Sequence, residues 1–509
     1  MNNKIVETLY QLGDQCLQKK SFDKAIDAYQ EIIKLQPEDG SAYIKLGNAL
    51  KLQGKWSEAE RAYLKGLAIS PQLLSGYVNL GDVDQKQGKL KAAIQSYLTA
   101  ISIQPSHISA YHRLGDLLKQ AGNLEEAQLC YYVYLPLRIL QEFYPPWPEI
   151  SAKLIATDKI TPIFPGTEVI LSPPKHLPQQ NHPEFQRQHF PAPGTFVITL
   201  DHSRAWGDLF TTAVFSPNNE LIPECSSGSP AVIATSQRLP PATVLKGITA
   251  FLSIRGGSAN YFHWMIDFLP RIHLLRQSGV KFEEIDQFVI PRYRTAYHRQ
   301  TLEILGIPAA KIIESHHYPH IHCDHLIAPS IHRTDALVTI PQWSCEFLRQ
   351  SFLDSITNLN HRQYPKRIYI SRGNAKVRKI INEAELIEFL SSRGFQTIQL
   401  ENLEFRQQVA VMAAAKIVIA PHGAGLTNLV FCHPGTQVIE IFAPEAVPVY
   451  FWMISHLIGL DYSYLLGEDI HSLEFRKQYP NLIHQLPPKA LVPSHEHIWV
   501  NLNNLKQLL

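Results

Sequence analysis

The sequence has few cysteines, no strong excess of charge of either sign and no long apolar run. Six cysteines occur among 509 residues, with no CxxC pair and no spacing typical of a disulfide framework. We therefore expect free thiols in a reducing compartment. Lysine plus arginine (47) and aspartate plus glutamate (45) nearly balance, which disfavours a nucleic-acid binder.

No segment predicts export or membrane insertion. The N-terminal sequence MNNKIVETLYQLGDQ lacks the apolar core of a signal peptide. The most apolar later stretches are interrupted by Lys416 and His422, or by His456 and Asp461. None supplies the roughly 18 uninterrupted apolar residues of a transmembrane helix. We expect a cytoplasmic protein without a transmembrane segment.

The first part of the chain repeats itself every 34 residues. Equivalent positions hold glycine, alanine, tyrosine and, three times, proline: Gly13, Gly47, Gly81, Gly115; Ala25, Ala59, Ala93, Ala127; Tyr29, Tyr63, Tyr97, Tyr131; Pro37, Pro71, Pro105. This pattern resembles the tetratricopeptide repeat and predicts an all-α solenoid of four helix-turn-helix units over residues 1–140. Ile139 replaces the fourth proline, so the last helix is expected to run on as a cap.

A solenoid of this kind offers a concave surface. The polar residues expected there are mixed in sign: Asn48, Lys51, Asp82, Gln85 and Arg113. They fit either a protein or peptide partner or a packing role against the next domain. Residues 141–160, which contain Tyr-Pro-Pro-Trp-Pro at 144–148, predict a proline-rich linker.

A candidate catalytic segment follows two glycines, Gly256 and Gly257. On a regular helix, His263, Asp267 and Arg271 lie at i, i+4 and i+8 on one face, with Asn260 one turn earlier. An imidazole beside a carboxylate can act as a general base. A surface ladder that only supports the helix is the structural alternative.

A second histidine-rich segment lies between 316 and 325. It contains His316, His317, His320, His322, Cys323, Asp324 and His325. Such a cluster suggests a metal, but its spacing matches no zinc pattern, and strand alternation would place His320, His322 and Asp324 on one face. We expect a polar edge strand or loop here and no metal site.

Residues 363–509 show regular alternation of strands and helices. Strands are predicted at 367–371 and 395–400 and helices at 383–393 and 405–415, before a third strand that begins at Lys416. Together with the strand, helix and strand of residues 416–442, this gives βαβαβαβ, which predicts a parallel sheet with helices on its faces. Arg372 follows the first strand and Arg378 lies six residues later. Their guanidinium groups suit phosphate, although a solvated basic loop would look the same.

The stretch KIVIAPHGAGLTNLVFCHPGTQVIEIF, residues 416–442, reads as strand, sharp turn, helix and second strand. Small residues after His422 allow backbone N–H groups to approach an anion at a helix N-terminus. Glu440 is a carboxylate on an otherwise apolar strand. The alternative is an ordinary tight turn with a structural histidine.

Together these blocks resemble the glycosyltransferase 61 family over residues 160–505. The blocks are Asn260 to Arg271, then Tyr369 to Arg372 with Arg378 and Asn382-Glu383, then Pro421 to Asn428 with Glu440. The resemblance implies a GT-B fold of two Rossmann-like halves, residues 161–362 and 363–509. It also implies inverting transfer from a nucleotide-sugar, expected to be a UDP-sugar, without an obligatory metal.

The resemblance also assigns roles to individual residues. Donor binding is expected from Arg372, Arg378, His422, Gly423, Ala424, Gly425, Thr427, Asn428 and Glu440, with Glu440 holding the ribose. His263 and Asp267 are the candidate catalytic residues, and Asn260 and Arg271 lie on the acceptor side. The acceptor is expected to be a protein, a polysaccharide or a lipid-linked precursor. The alternative is a repeat scaffold with a non-catalytic GT-B-like module.

Overall fold

The computed structural model describes residues 2–133, 135–143, 159–235, 239–258, 260–332, 339–357, 364–375, 377–480, 486 and 496–509. The chain forms two compact units. One comprises 1–149 with 228–242, and the other 150–227 with 243–509. Most of the predicted linker, and the predicted boundary at 362/363, lie outside the described residues. Among the helices of the described part, none has the length and apolar character of a membrane span.

The first unit contains four antiparallel helix pairs, which confirms the predicted helical repeats. Their helices are α1 (Asn2–Gln18), α2 (Phe22–Leu35), α3 (Gly40–Leu52), α4 (Trp56–Ile69), α5 (Leu74–Lys86), α6 (Leu90–Ile103), α7 (Ile108–Gln120) and α8 (Leu124–Tyr131). In each pair, the repeated glycine packs against the repeated tyrosine. A Cβ on any of these four glycines would lie 2.5 to 2.9 Å from a tyrosine ring atom. The glycines are therefore required by close helix approach.

The repeated tyrosines are also fixed at their hydroxyl groups. Each hydroxyl donates to the residue that follows the repeated glycine: Tyr29 to Asp14 (2.7 Å), Tyr63 to Asn48 (2.8 Å), Tyr97 to Asp82 (3.1 Å) and Tyr131 to Asp116 (2.8 Å). The same 34-residue step relates the four acceptors, so this bond was detectable in the sequence.

The fourth repeat does not run on as predicted. Helix α8 ends at Tyr131, Val133 adopts a positive φ of 65°, and a separate helix α9 spans Leu137–Phe143. The left-handed residue turns the chain and interrupts the helix. A short helix from later in the chain, α10 (Pro230–Thr235), belongs to this same unit and contacts α6.

The second unit begins with a mixed seven-stranded sheet. Its strands are β1 (Ile160–Phe164), β4 (Thr195–Gly207), β5 (Thr212–Phe215), β6 (Thr243–Phe251), β7 (Gln287–Ile290), β8 (Ile312–Glu314) and β9 (His320–Pro329), with β2 (Thr167–Ile170) and β3 (His189–Ala192) forming a separate hairpin. The order is β1-β4-β9-β6-β7-β8, with β5 on β4. Strands β9, β6, β7 and β8 are mutually parallel. The helices here are α11 (Leu269–Gln277), α12 (Ala296–Ile304) and α13 (Gln342–Leu353).

The second sheet is entirely parallel, as the alternating pattern predicts. Its strands are β10 (Arg367–Ile370), β11 (Gln396–Ile398), β12 (Ile417–Pro421), β13 (Gln437–Phe442) and β14 (Asp461–Leu466), in the order β11-β10-β12-β13-β14. Its helices are α14 (Glu383–Ser391), α15 (Phe405–Ala414), α16 (Tyr450–Leu457), α17 (Leu473–Gln478) and α18 (Leu502–Leu508). One apolar core joins residues of both sheets, including Ala250 and Phe288 of the first and Val418 and Val438 of the second.

Candidate active site

The strand order places a crevice between β10 and β12. In the parallel sheet, β11 lies on one side of β10 and β12 on the other, so the chain reverses direction between these two strands. Ligands of open α/β sheets bind at the carboxyl ends of strands at such a switch point. Arg372 follows β10 and His422 follows β12. The fold thus brings these two predicted donor-site residues to the same crevice.

Arg372 lies directly against Gly423. A Cβ on Gly423 would meet Cζ of Arg372 at 2.8 Å, so only glycine leaves room for the guanidinium group. The Nε atom of Arg372 is buried and has no hydrogen-bond partner among the described residues. Burial and the charge of Arg378 lower the pKa of Arg372 to about 10, which still leaves it charged at neutral pH. A half-buried cation without an acceptor for Nε is suited to binding an anion.

The loop that carries Arg372 is held by Glu383. Its Oε1 atom accepts hydrogen bonds from the hydroxyls of Tyr369 and Ser371, both at 2.8 Å. Arg378, further along the loop, adopts a positive φ of 56°. Arg378 lies close enough to Arg372 and His422 for its charge to lower the pKa of each.

His422 belongs to a buried chain of three polar side chains. Its Nδ1 lies 2.5 Å from Oε1 of Glu440, and Oε2 of Glu440 accepts from the hydroxyl of Tyr462 at 2.6 Å. Burial lowers the pKa of His422, against the opposing effect of Glu440, and burial with Glu440 raises the pKa of Tyr462. A neutral imidazole that donates from Nδ1 keeps Nε2 as a hydrogen-bond acceptor.

This arrangement corrects the role predicted for Glu440. Its side chain is fully buried and both of its oxygens are engaged by protein groups. Glu440 therefore does not offer its carboxylate to a ribose in this structure. It fixes the tautomer and the ring orientation of His422 instead.

The helix predicted after the turn at His422 is a 3₁₀-helix. The 3₁₀-helix spans Ala424–Phe431. The backbone N–H of His422 donates to Ile441 (2.8 Å) and that of Leu426 to Gly423 (2.9 Å), so neither is available to an anion. The first N–H groups of a helix lack an acceptor within it. Gly423, Ala424 and Gly425 are therefore the positions at which backbone donors can meet a ligand.

Thr427 and Asn428 lie deeper than the sequence predicts. Both are buried, and Oγ1 of Thr427 has no hydrogen-bond partner within the described part of the chain. Oδ1 of Asn428 accepts from the hydroxyl of Tyr261 at 2.5 Å, and its Nδ2 donates to Gln408 at 3.0 Å. The predicted donor contact of Asn428 is thus corrected, because its amide joins two parts of the protein.

His263 and Asp267 form the predicted pair, but on a π-helix. This helix spans His263–Phe268, and Nδ1 of His263 lies 2.6 Å from Oδ2 of Asp267. Both side chains are partly exposed. Gly256 allows close approach here as well, since a Cβ at this position would lie 2.7 Å from Cδ2 of His263. An imidazole held in this way by a carboxylate has the arrangement of a general base.

Asn260 begins the helical segment that contains the pair. Its side-chain oxygen accepts from the backbone N–H of Phe262 at 2.9 Å, and the residue remains exposed. A π-helix widens each turn, so Arg271 does not continue the face of His263 and Asp267.

Arg271 is a structural residue, which corrects its predicted place on the acceptor side. It is fully buried, and its guanidinium group donates to four backbone carbonyls, those of Phe251, Leu252, Ser253 and Pro329, at 2.6 to 3.3 Å. These carbonyls end β6 and β9, the strands between which the first sheet reverses direction. Arg271 therefore fills the switch point of that sheet. Burial lowers its pKa to about 10.

Aromatic residues join the two halves of the site. The ring of Phe451 lies 5.9 Å from that of Phe262, next to His263, and 5.2 Å from that of His422. With the Tyr261 to Asn428 bond, this contact brings the first and third sequence blocks together. Sequence reasoning missed Tyr261, Tyr462 and Phe451, because each contributes through a long-range contact that no local pattern indicates.

The histidine-rich segment divides between a strand and a turn, and the strand, β9, lies between β4 and β6 rather than at the predicted edge of a sheet. On β9, Ile321 and Cys323 are buried while His320, His322 and Asp324 share the other face, as strand alternation predicts. His325 pairs with Asp201 at 2.7 Å. His316 and His317 lie in the preceding 3₁₀ turn, near Glu314.

Comparisons with known proteins agree with the sequence blocks. Residues 261–439 match the model of the family Glycosyltransferase 61, and residues 13–54, 81–122 and 40–75 match models of tetratricopeptide repeats. The crystal structure of MamA is 28% identical over 25% of this chain and 75% of that chain, with a TM-score of 0.24, too low to add to the fold assignment.

Three curated relatives illustrate the similarity. Protein O-linked-mannose beta-1,4-N-acetylglucosaminyltransferase 2 of Tetraodon nigroviridis is 32% identical over 108 residues, 20% of this chain and 18% of the relative. Beta-1,2-xylosyltransferase XAX1 of Oryza sativa subsp. japonica is 23% identical over 317 residues, 56% of this chain and 50% of the relative. EGF domain-specific O-linked N-acetylglucosamine transferase of Drosophila melanogaster is 35% identical over 80 residues, 15% of each chain.

The chain spans half the length or less of these relatives. The predicted resemblance is nevertheless confirmed: residues 261–439 match the glycosyltransferase 61 family model, downstream of residues that match tetratricopeptide repeats.

Proposed function

We propose that the second unit is an inverting glycosyltransferase that transfers a sugar from a nucleotide-sugar, expected to be a UDP-sugar, to a protein, polysaccharide or lipid-linked acceptor. The two sheets are then the halves of a GT-B enzyme. The named activities of the relatives, all glycosyl transfers, support the reaction class.

The observation that carries the proposal is the position of Arg372. This half-buried guanidinium group lies at the switch point of a parallel sheet, against Gly423 and near Arg378, and its Nε lacks a partner in the described structure. The leaving group of a nucleotide-sugar is a nucleoside diphosphate, whose charge grows as the bond to the sugar breaks. Arginine and backbone N–H groups stabilise such charge without reorganisation. We assign Arg372, Arg378 and the N–H groups of Gly423 to Gly425 to the diphosphate.

On the acceptor side, the pair of His263 and Asp267 supplies the base. The acceptor hydroxyl oxygen attacks the anomeric carbon from the face opposite the diphosphate, the bond from carbon to phosphate oxygen breaks, and the hydroxyl proton passes to Nε2 of His263. Asp267 stabilises the imidazolium that forms. One displacement inverts the anomeric configuration. Nε2 of His422 accepts a hydrogen bond from a hydroxyl of the donor, and Asn260 contacts the acceptor.

The repeats are proposed to bind a protein or peptide. Their concave face contains a cavity of about 820 Å³ lined by Lys51, Asp82, Arg113 and Lys119, among others. Lys51 already pairs with Asp82 at 3.0 Å, so the groove retains an excess of basic groups. A cytoplasmic location is part of the same proposal, because all six cysteines are buried and unpaired.

A thermal-shift panel of nucleotide-sugars and free nucleoside diphosphates tests donor binding. A ligand that binds only the native state raises Tm. We expect a shift with one nucleotide family in the wild-type protein and in Arg406→Ala, an exposed arginine on α15, but not in Arg372→Ala. Absence of any shift in folded wild-type protein would contradict the proposal and favour a repeat scaffold with a non-catalytic module.

Catalysis is tested separately with His263→Gln. The variant should keep the donor shift and lose transfer, while the wild-type product should show the inverted anomeric configuration by NMR. Retention of configuration would overturn the single-displacement mechanism.

A further inference from the structure

Three loops meet beside the catalytic pair, at the carboxyl ends of β6, β7 and β8. The hydroxyls of Ser253 and Ser315 lie 2.8 Å apart. The backbone N–H of Arg292 donates to Ser258 (2.9 Å), and that of Tyr293 donates to Glu314 (3.1 Å). The first of these loops also contains Gly256, which lies against His263. The three loops therefore form one surface with the proposed base.

This surface carries more positive than negative charge. Arg292 and Arg294 follow β7, and His316 and His317 follow β8, with their rings 4.1 Å apart. Glu314 is the carboxylate among them, and its Oε2 lies 3.7 Å from Nδ1 of His316. Neither arginine forms an ion pair within the described ranges. The net charge of the two arginines and Glu314 is therefore positive even with both histidines neutral.

Two polar atoms of this cluster form no hydrogen bond within the described structure. They are Nε of Arg292 and Nδ1 of His316, both buried. The pKa of His316 is lowered by burial and by the positive charge of His317, Arg292 and Arg294, while Glu314 opposes them. A cavity of about 530 Å³ adjoins the cluster; His317 and Glu314 line it, with Tyr293, Tyr318 and the apolar side chains of Leu245, Ile312 and Ile313. The cluster thus combines a guanidinium nitrogen that forms no hydrogen bond with an adjoining cavity that His317 lines.

We propose that Arg292, Arg294, His316 and His317 bind an anionic group of the acceptor, a phosphate or a carboxylate close to the hydroxyl that receives the sugar. This inference rests on the proposed transferase function and narrows its acceptor class. Arginine and histidine donate charge-assisted hydrogen bonds to such oxyanions. Binding the anion would also provide the acceptor with an orientation relative to His263.

The alternative reading of the cluster is a metal site. Side-chain ligand atoms of Glu314, His316 and His317 all lie within 4.8 Å of one another. Two arginines in range of His316 repel a cation, however, whereas an anion is repelled only by Glu314. The charge balance therefore favours the anion.

The test uses the full chain with Arg372→Ala, which is expected to weaken phosphate binding at the donor crevice. Ligand-observed NMR would measure binding of glucose 6-phosphate, glucuronate and uncharged glucose. We expect the two anions, but not glucose, to bind. The further substitutions Arg294→Gln and His317→Gln, both at exposed positions, should weaken anion binding by about tenfold or more, whereas Arg406→Gln should not.

Each result bears on one proposal only. Anion binding that survives Arg294→Gln and His317→Gln, or equal binding of glucose, would overturn the acceptor subsite while donor binding in the wild-type protein stands. Tight Zn²⁺ binding that His317→Gln abolishes, with no anion binding, would also overturn it and identify a metal site. Absence of donor binding in the wild-type protein would overturn the proposed transferase function. The anion measurement would still be interpretable by itself.

Discussion

Replacing Gly423 with alanine should weaken donor binding through Arg372 alone. The added Cβ would lie 2.8 Å from Cζ of Arg372, and closer still to Nη1. The backbone at Gly423 is extended, with φ of 175°, so alanine imposes no conformational strain there. The methyl group therefore displaces the guanidinium group and leaves the turn intact.

The size of the effect follows from the bonds that the displaced group would make. A hydrogen bond to a charged group contributes about 1.5–3 kcal/mol. Since about 1.4 kcal/mol corresponds to a tenfold change, Gly423→Ala should raise the Kd for the nucleoside diphosphate by roughly 10- to 100-fold. Isothermal titration calorimetry would measure the change, and urea unfolding should show a stability close to that of the wild-type protein.

A double-mutant cycle with Arg372→Ala isolates the mechanism. If alanine acts by moving Arg372, the double variant binds no more weakly than Arg372→Ala alone. Gly425→Ala serves as the matched control, because its Cβ would meet only Leu400 Cδ1, at 3.2 Å. Additive losses in the cycle, or an equal loss in Gly425→Ala, would refute the reasoning.

Three further predictions concern buried polar groups. Tyr462→Phe leaves Oε2 of Glu440 without its donor and should lower the free energy of unfolding by about 1–3 kcal/mol, measured by urea denaturation; no change would show that water replaces the hydroxyl. In Arg271→Lys, the single ammonium group cannot reach four carbonyls, so the free energy of unfolding should fall by about 3 kcal/mol or more in the same assay. An unfolding midpoint equal to that of the wild-type protein would contradict this prediction. Burial lowers the pKa of His298 to about 3, whereas its pKa in the unfolded chain is about 6.5. The stability that the neutral His298 contributes is therefore complete above about pH 6.5 and is lost as pH falls towards 3. Between pH 7 and 4.5, the urea unfolding midpoint should fall less steeply with pH in His298→Gln than in the wild-type protein. Equal slopes in the two proteins would exclude this histidine as a source of the pH dependence.

Features with a local cause were predictable from the sequence. The repeats were predictable because glycine and tyrosine must recur together for helices to approach closely. The parallel sheet and the positions of Arg372 and His422 after its strands followed from the alternation of apolar runs and helices. The pairing of His263 with Asp267 followed from a spacing that both α- and π-helices bring within reach.

Features that depend on distant contacts were not predictable. The widened turn at His263 moves Arg271 off the shared face, and its guanidinium group then meets carbonyls 18 to 58 residues away in sequence. Glu440 was expected to face a ligand because an acid on an apolar strand requires a partner. That partner proved to be the protein, in His422 and Tyr462. Chemistry alone indicates that a buried carboxylate must be satisfied, but not by which group.

The placement of α10 limits how the repeats can be separated from the rest of the chain. Ala231, Val232 and Ile233 are buried, and Ser229 accepts the backbone N–H of Leu135 at 3.0 Å, all within the first unit. Deletion of residues 1–143 would remove the helices that cover these apolar side chains. The fragment that remains would then have an exposed apolar surface. A chimera with foreign repeats would have to exchange residues 228–242 as well, so the module that can be transplanted is discontinuous in sequence.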